Sequence, residues 1–257
     1  MSLITLLTDF GQGKYVATMK AVVLSINPQA AIVDIDHDIA PQNVLEGAFV
    51  LASAVKYFPT CIHVAVVDPG VGGGRRPLVV ECEKGTLVGP DNGLLVPAAK
   101  ILGLRGSFEI TERDYCLPEL SDTFHGRDIF APVAAHLSLG VPPNSVGKRV
   151  DDLVQLDFGE YEVTSSEVRG ELLFKDRFGN LSTNVPEDAL PSWLIFGKKV
   201  ELRLQHVLRL PFLRTYTSGE PGQPLLIISS DGYLEIAVNR GDASKLTGAS
   251  PGDAFVL

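Results

Sequence analysis

The fold is decided by the stretch "LITLLTDFGQGKYVATMKAVVLSINPQAAIVDID", Leu3 to Asp36. Its opening run, "LITLLTD", is apolar and short and closes on an acid, and "AAIVDID" at the far end repeats the design; both read as strands. Between them "YVATMKAVVLSI" spaces apolar residues on a 3.6-residue period, the mark of an amphipathic helix. Working outward, "NVLEGAFVLASAVKYF" predicts a second helix and "CIHVAVVD" a third strand. That order is βαβαβ. A helix between successive strands makes them parallel, with both faces covered and functional loops at their carboxyl ends. Asp9, Asp36 and Asp68 fall at such ends. Further on, "LVVECEKGTLVGPDNGLL" predicts a hairpin and a tight turn, and "GRDIFAPVAAHLSLG" a helix ended by Gly140.

After "GVPPNSVGKRV" the character changes. From about Tyr161 helical periodicity nearly disappears, and "VRGELLFKD", "KVELRLQ", "PLLIIS", "YLEIAVN" and "AFVL" read as short strands punctuated by Gly, Pro and Ser. The expected fold class is therefore α/β: a mostly parallel α/β sheet domain over residues 1–150 and a β-barrel-like domain over 160–257. The expected linker runs from Pro142 to Asp157.

Composition narrows the function. In 257 residues, 45% hydrophobic, no apolar run approaches the roughly 20 residues that a membrane span needs, and "MSLITLLTDFG" lacks the basic segment of a signal peptide. The expectation is a soluble, cytoplasmic protein. Cys61, Cys82 and Cys116 are odd in number and widely spaced, so they read as buried thiols rather than a disulfide framework or metal site. A net charge of -9 opposes binding to a phosphate backbone and favours a small-molecule partner over nucleic acid.

Two stretches are unusual. "VVDPGVGGGRRPLVV", Val66–Val80, follows a strand-end acid with four glycines in five positions and two arginines. Glycines permit close approaches that side chains would block, but the phosphate-loop pattern is absent, and a surface hairpin is the structural alternative. "LSDTFHGRDIFAP" crowds Thr123, His125, Arg127 and Asp128 at an expected helix start, where a ligand or simple capping by Thr123 or Asp128 is possible. A third stretch, "DIDHDIAPQN", places Asp34, Asp36 and Asp38 on one strand face by alternation, but a second ligand cluster is missing, so no metal site is expected.

Taken together, "TDFG" with "YVATMK", "VDPGVG...RR", "GPDNG", "TFHGRDIFAP", "DRFGNLSTN" and "GYLEIAVN" resemble, in order and spacing, the S-adenosylmethionine hydroxide adenosyltransferases, relatives of the fluorinase and chlorinase enzymes. The likeness spans Ile4 to Asn239. It implies hydrolysis of S-adenosyl-L-methionine to adenosine and L-methionine by in-line attack of water at the ribose C5', with no cofactor. By the same resemblance Asp68, Arg75 and His125 form the water-orienting set, with Arg76 the neighbouring alternative to Arg75, and His125 is available to accept a proton. Asp9 matches the ribose-diol carboxylate. Asp176 and Ser230 match contacts to methionine's charged end, and Asn180 an adenine contact. Asp231 stands where the halogenases carry a base, and the Gly11–Lys14 loop is about one residue short. The resemblance also implies a homotrimer with sites between subunits. Two other functions share the pocket: a noncatalytic adenosine or S-adenosylmethionine sensor, and a 5'-halogenating enzyme.

Overall fold

The structure, a computed structural model, describes residues 2–257, and the chain divides into two compact units, Met1–Asp157 and Phe158–Leu257. In the first, the elements run β1 (Leu3–Thr8), α1 (Lys14–Ile26), β2 (Ala31–Asp36), α2 (Val44–Val55), β3 (Cys61–Val66), β4 (Pro77–Cys82), β5 (Gly85–Pro90), α3 (Val96–Leu102), β6 (Leu104–Ile110), α4 (Ala131–Ser138) and β7 (Gly147–Val150). One sheet takes all seven strands in the order β2-β1-β3-β5-β4-β6-β7. It is parallel from β2 to β5, with helices α1 and α2 making the crossovers among β1, β2 and β3 and strand β4 lying between β3 and β5 in the chain, and antiparallel from β5 through β4, β6 and β7.

Alternation along the strands sends Ile4, Leu6, Val64 and Val66 into one core with Met19 and Val23 of α1 and Phe130, Val133 and Leu137 at or in α4. Helices α2 and α3 pack together and bury Ala48, Leu51, Val55, Ala98 and Ala99. Truncating a fully buried leucine such as Leu6 to alanine would cost about 2–5 kcal/mol. Helix α2 starts on a reciprocal cap, Asn43 Oδ1 accepting Glu46 N–H at 3.1 Å and Glu46 Oε2 accepting Asn43 Nδ2 at 2.9 Å.

Two details depart from the sequence reading. Strand β2 is not covered on both faces: it is an edge strand, and Val33 is 42% exposed. Within the expected linker, Gly147–Val150 is a strand, because β6 leaves an open edge and Ser107–Ile110 pair with it.

The second unit contains β8 (Glu162–Val163), β9 (Val168–Lys175), β10 (Leu181–Pro186), β11 (Lys199–Arg203), β12 (Val207–Pro211), β13 (Pro224–Ile228), β14 (Tyr233–Val238), α5 (Ala243–Thr247) and β15 (Ala254–Val256). The path β12-β11-β15-β9-β10-β14-β13 is antiparallel throughout, with β8 on β9. Its ends meet where Leu213 N–H donates to Leu226 C=O at 2.8 Å beside a Phe212–Leu226 bridge, nearly closing a barrel. Phe255, Leu181, Leu202, Leu210, Leu234 and Ile236 fill it. Strand β10 was invisible to patterning because its middle reads Ser182-Thr183-Asn184; all three are buried and hydrogen-bonded.

Candidate active site

Strands β1 and β3 are in register at Thr8 and Val66, so the loops carrying Asp9 and Asp68 leave the sheet side by side. Asp68 is nearly enclosed, its side chain 4% exposed, and Arg75 grips it: Nε donates to Oδ1 and Oδ2 at 3.0 Å each, and Nη2 to Oδ2 at closer range. The same Nη2 donates to His125 Nδ1 at 2.8 Å. Behind the fork lies the Phe130 ring, 5.3 Å from the guanidinium carbon.

The glycines explain how these segments meet. Val71 N–H and Gly73 N–H close turns on Asp68 and Gly70 carbonyls, so those donors are used within the loop rather than offered to a ligand. Gly72, at φ +75°, lies against the backbone of Asp122, and a Cβ there would stand 2.2 Å from the Asp122 carbonyl oxygen. Only glycine lets the Asp68–Arg75 loop approach the segment that leads to His125. On the other side, fully buried Asp128 accepts Ser121 N–H at 2.8 Å and pairs with Arg127 Nε at 2.6 Å. It therefore ties down the preceding loop instead of capping the helix. Thr123 does not cap either; its hydroxyl meets Ser121 Oγ at 3.1 Å, and the chain enters α4 through a single π-helical turn, Gly126–Phe130. Phe10, Tyr15 and Phe124 pack edge to face or tilted, with centroids 5.2–5.9 Å apart, linking the residue after Asp9 to the residue before His125.

The electrostatics fix the state of His125. Burial, and then the Arg75 charge, hold its pKa below that of an ordinary imidazole. A guanidinium can only donate, so Nδ1 is the acceptor and the neutral ring carries its proton on Nε2. The nitrogen that could have accepted a proton is already occupied. The neighbouring arginine points elsewhere: Arg76 Nε and Nη2 reach Asp91 at 2.8 and 2.5 Å, and Nη1 reaches Asp152 at 2.7 Å. Arg75, not Arg76, joins Asp68 to His125. Asp9 Oδ2 accepts Gln42 N–H at 2.8 Å, and Gln42 holds the left-handed φ of +67° to deliver it.

In the second unit, Asp176, Asn180 and Ser230 line one cleft of about 550 Å³ with Phe178, Tyr216 and Arg240. Asp176 organises its own turn, Oδ1 accepting the N–H groups of Phe178 and Asn180 at 2.9 and 2.8 Å, and Oδ2 accepting Asn180 Nδ2 at 2.8 Å. Behind the wall, Glu235 is 4% exposed and accepts Tyr216 O–H at 2.9 Å and Ser182 O–H at 3.2 Å. Burial raises its carboxyl pKa against the opposing effect of the Tyr216 bond. The sequence reading missed Tyr216, Arg240 and Glu235. Only Glu235 carried a signal, an acid interrupting the apolar run of "YLEIAV".

The acids of "DIDHDIAP" do not converge. The register of β2 on β1 slips between Leu6 and Leu7, which pair with Asp34 and Asp36. Asp34 turns to Lys20 and His37, while Asp36 accepts Asp38 N–H. Among the described residues no three His, Cys, Asp or Glu side chains gather as metal ligands. Among the described residues no helix is long and apolar enough to cross a membrane.

Comparison with known proteins bears on this arrangement. Residues 4–147 match the SAM hydroxide adenosyltransferase N-terminal domain and residues 170–256 its C-terminal domain. The chain is 41% identical to an (R)-S-adenosyl-L-methionine hydrolase of Salinispora tropica, across 97% of this chain and 95% of that protein. More distantly, it is 27% identical to a fluorinase of Actinopolyspora mzabensis, across 92% and 90%. A crystal structure of an uncharacterised conserved protein from Thermotoga maritima superposes with a TM-score of 0.94 at 38% identity, covering 98% of each chain. With both domains of the family matched in order across nearly the whole sequence, the chain belongs to the SAM hydroxide adenosyltransferases.

Proposed function

We propose that this protein hydrolyses S-adenosyl-L-methionine to adenosine and L-methionine, with Asp68, Arg75 and His125 handling the water. The observation that carries the reading is the buried Asp68 carboxylate locking the Arg75 fork, whose Nη2 in turn engages His125, at the strand end beside Asp9. A sulfonium departs as a neutral thioether, so the reaction needs a positioned nucleophile more than acid assistance. Water attacks C5' opposite the sulfur. The O–C5' bond forms as the C5'–S bond breaks, the electron pair stays on sulfur, one water proton remains on the new 5'-hydroxyl and the other is released to solvent. The His125 Nε2–H and the remaining Arg75 N–H are donors, and donors facing a water oxygen favour its hydroxide form. Asp68, engaged by Arg75 through both oxygens, acts through that fork rather than as a free base.

Asp9 holds the ribose diol, a task for a carboxylate that accepts two O–H bonds. Asn180 holds adenine, and Asp176 and Ser230 the charged end of the methionine moiety. No cofactor or metal enters the scheme. The finer proposal is a homotrimer whose sites lie between subunits; a monomeric mass by light scattering would refute it.

The test separates two carboxylates. Asp68→Asn is expected to lower kcat by roughly 10²–10⁴-fold while adenosine binding persists, since its partners serve the transition state. Asp9→Asn is expected mainly to weaken adenosine and substrate. A wild-type protein that binds adenosine but releases no methionine is a sensor, and one whose turnover requires a halide is a halogenase.

A further inference from the structure

Asp9 is bracketed by a buried histidine that the reaction does not touch. His37 is fully enclosed, and its Nδ1 lies 2.9 Å from Thr8 Oγ1, also fully enclosed. The Thr8 oxygen accepts Phe10 N–H at 3.2 Å, and the His37 carbonyl accepts Gly11 N–H at 2.8 Å. One residue thus holds the loop on both sides of Asp9. On its other edge, His37 Nε2 approaches Asp34 Oδ1 at 3.1 Å off the ideal hydrogen-bond axis and has no other partner among the described residues. Asp34 Oδ2 in turn accepts Lys20 Nζ at 2.6 Å at the surface. This order assigns the protons: Nε2–H faces the carboxylate, so Nδ1 accepts from the Thr8 hydroxyl, whose oxygen is left for Phe10.

Hydroxyl, imidazole and carboxylate in series resemble a nucleophilic triad, but Thr8 is sealed from solvent and its oxygen is engaged. The slip in the β1–β2 pairing lies where Asp34 and Asp36 meet β1, and such irregularities re-aim side chains next to functional sites. Asp9 Oδ2 is held by Gln42 N–H, five residues past His37, while Oδ1 makes no hydrogen bond among the described residues. The carboxylate is therefore fixed in pitch and open on one side, as a diol clamp requires.

We propose that Asp34, His37 and Thr8 form a relay, running from the surface carboxylate to two enclosed side chains, that positions Asp9 for the ribose diol. The proposal rests on the reading of Asp9 given above. Its test compares Thr8→Val, which keeps shape and deletes the hydroxyl, with Thr8→Ser, Asp9→Asn and the Thr8→Val/Asp9→Asn double variant. Adenosine Kd is read by calorimetry, KM and kcat by methionine release, and Tm alongside. Thr8→Val is expected to raise Kd and KM roughly three- to tenfold, the span of one lost neutral hydrogen bond, with kcat within about twofold. Thr8→Ser is expected to restore affinity, and the double variant to bind no more weakly than Asp9→Asn, because groups acting through one contact are not additive. If Thr8→Val melts too low, His37→Asn against His37→Leu reads the same bond, since Asn retains an acceptor near Nδ1. Normal affinity in Thr8→Val beside a weakened Asp9→Asn overturns the relay alone. Losses that multiply in the double variant also overturn it. Normal adenosine binding in Asp9→Asn overturns the ribose reading and the relay together.

Discussion

Strands β1 and β3 carry histidine chemistry at two levels, and the two differ in what surrounds the ring. At their carboxyl ends lie Asp9, Asp68, Arg75 and His125, with charges in contact at hydrogen-bond distance. Toward the opposite end, His63 Nδ1 meets Thr5 Oγ1 at 2.8 Å and Nε2 lies 3.4 Å from Cys61 Sγ, while Cys61 and Cys82 line a cleft of about 490 Å³. Both regions have an imidazole within reach of a polar partner. Only the first gives its imidazole a charged partner. Burial lowers the His63 pKa to about 4 and raises Cys61 to about 11, and burial with the Glu81 charge raises Cys82 to about 12, so these groups stay neutral and silent. Loops leaving parallel strands can supply charge partners from distant sequence, whereas residues within the strands meet mostly apolar neighbours.

The largest expected effect tests whether Arg75 works as a fork rather than as a charge. Arg75→Lys keeps the charge but cannot bind both Asp68 oxygens and His125 at once, so kcat is expected to fall roughly 10²–10³-fold. Arg76→Lys, one residue on, is expected to leave kcat near wild type and lower Tm, because Asp91 is 6% exposed and loses the two guanidinium donors that share its Oδ2. Equal losses of kcat in the two variants would break the distinction.

That distinction also marks how far the sequence could be read. The parallel half of the first sheet was legible because the helix period and strand-end acids repeat from Leu3 to Asp68. The resemblance named Asp68, Arg75 and His125, and the structure brings these three side chains together. It could not tell which arginine faces Asp68, since that depends on how a glycine turn lands on the Asp122 carbonyl. Nor could it give the direction of the Arg75–His125 hydrogen bond, which determines the tautomer. Strand β10 hid behind buried polar residues, and Tyr216 sits in a turn whose composition says nothing of Glu235.

A middle-sized effect sharpens the view of His63 as a silenced group. An unfolded histidine takes up its proton near pH 6.5, whereas folded His63 resists until about 4. Its contribution is complete above pH 6.5 and is lost as pH falls toward 4, amounting to at most about 3 kcal/mol. His63→Gln has nothing to titrate and can still pair with Thr5. Urea midpoints measured from pH 7 to 4.5 are expected to fall more steeply for wild type than for this variant. Parallel slopes would mean that His63 is protonated in the fold.

The smallest effect concerns the thiols, for which the expected result is almost none. With pKa values of about 11 and 12, Cys61 and Cys82 hold well under roughly 1% thiolate at pH 7.5, and both side chains are buried, so a thiol reagent finds neither nucleophile nor access. Native protein is therefore expected to label slowly, at Cys116 first because it is the more exposed, while urea opens all three. Cys82→Ala is expected to change kcat by less than about twofold, since truncating a buried side chain far from the reacting strand ends affects stability rather than the transition state. The informative readout is the order of events in the native state. Rapid modification of Cys61 or Cys82 with parallel loss of methionine release would show that the cleft they line is coupled to catalysis, and the division between a charged working end and a silent one would fail.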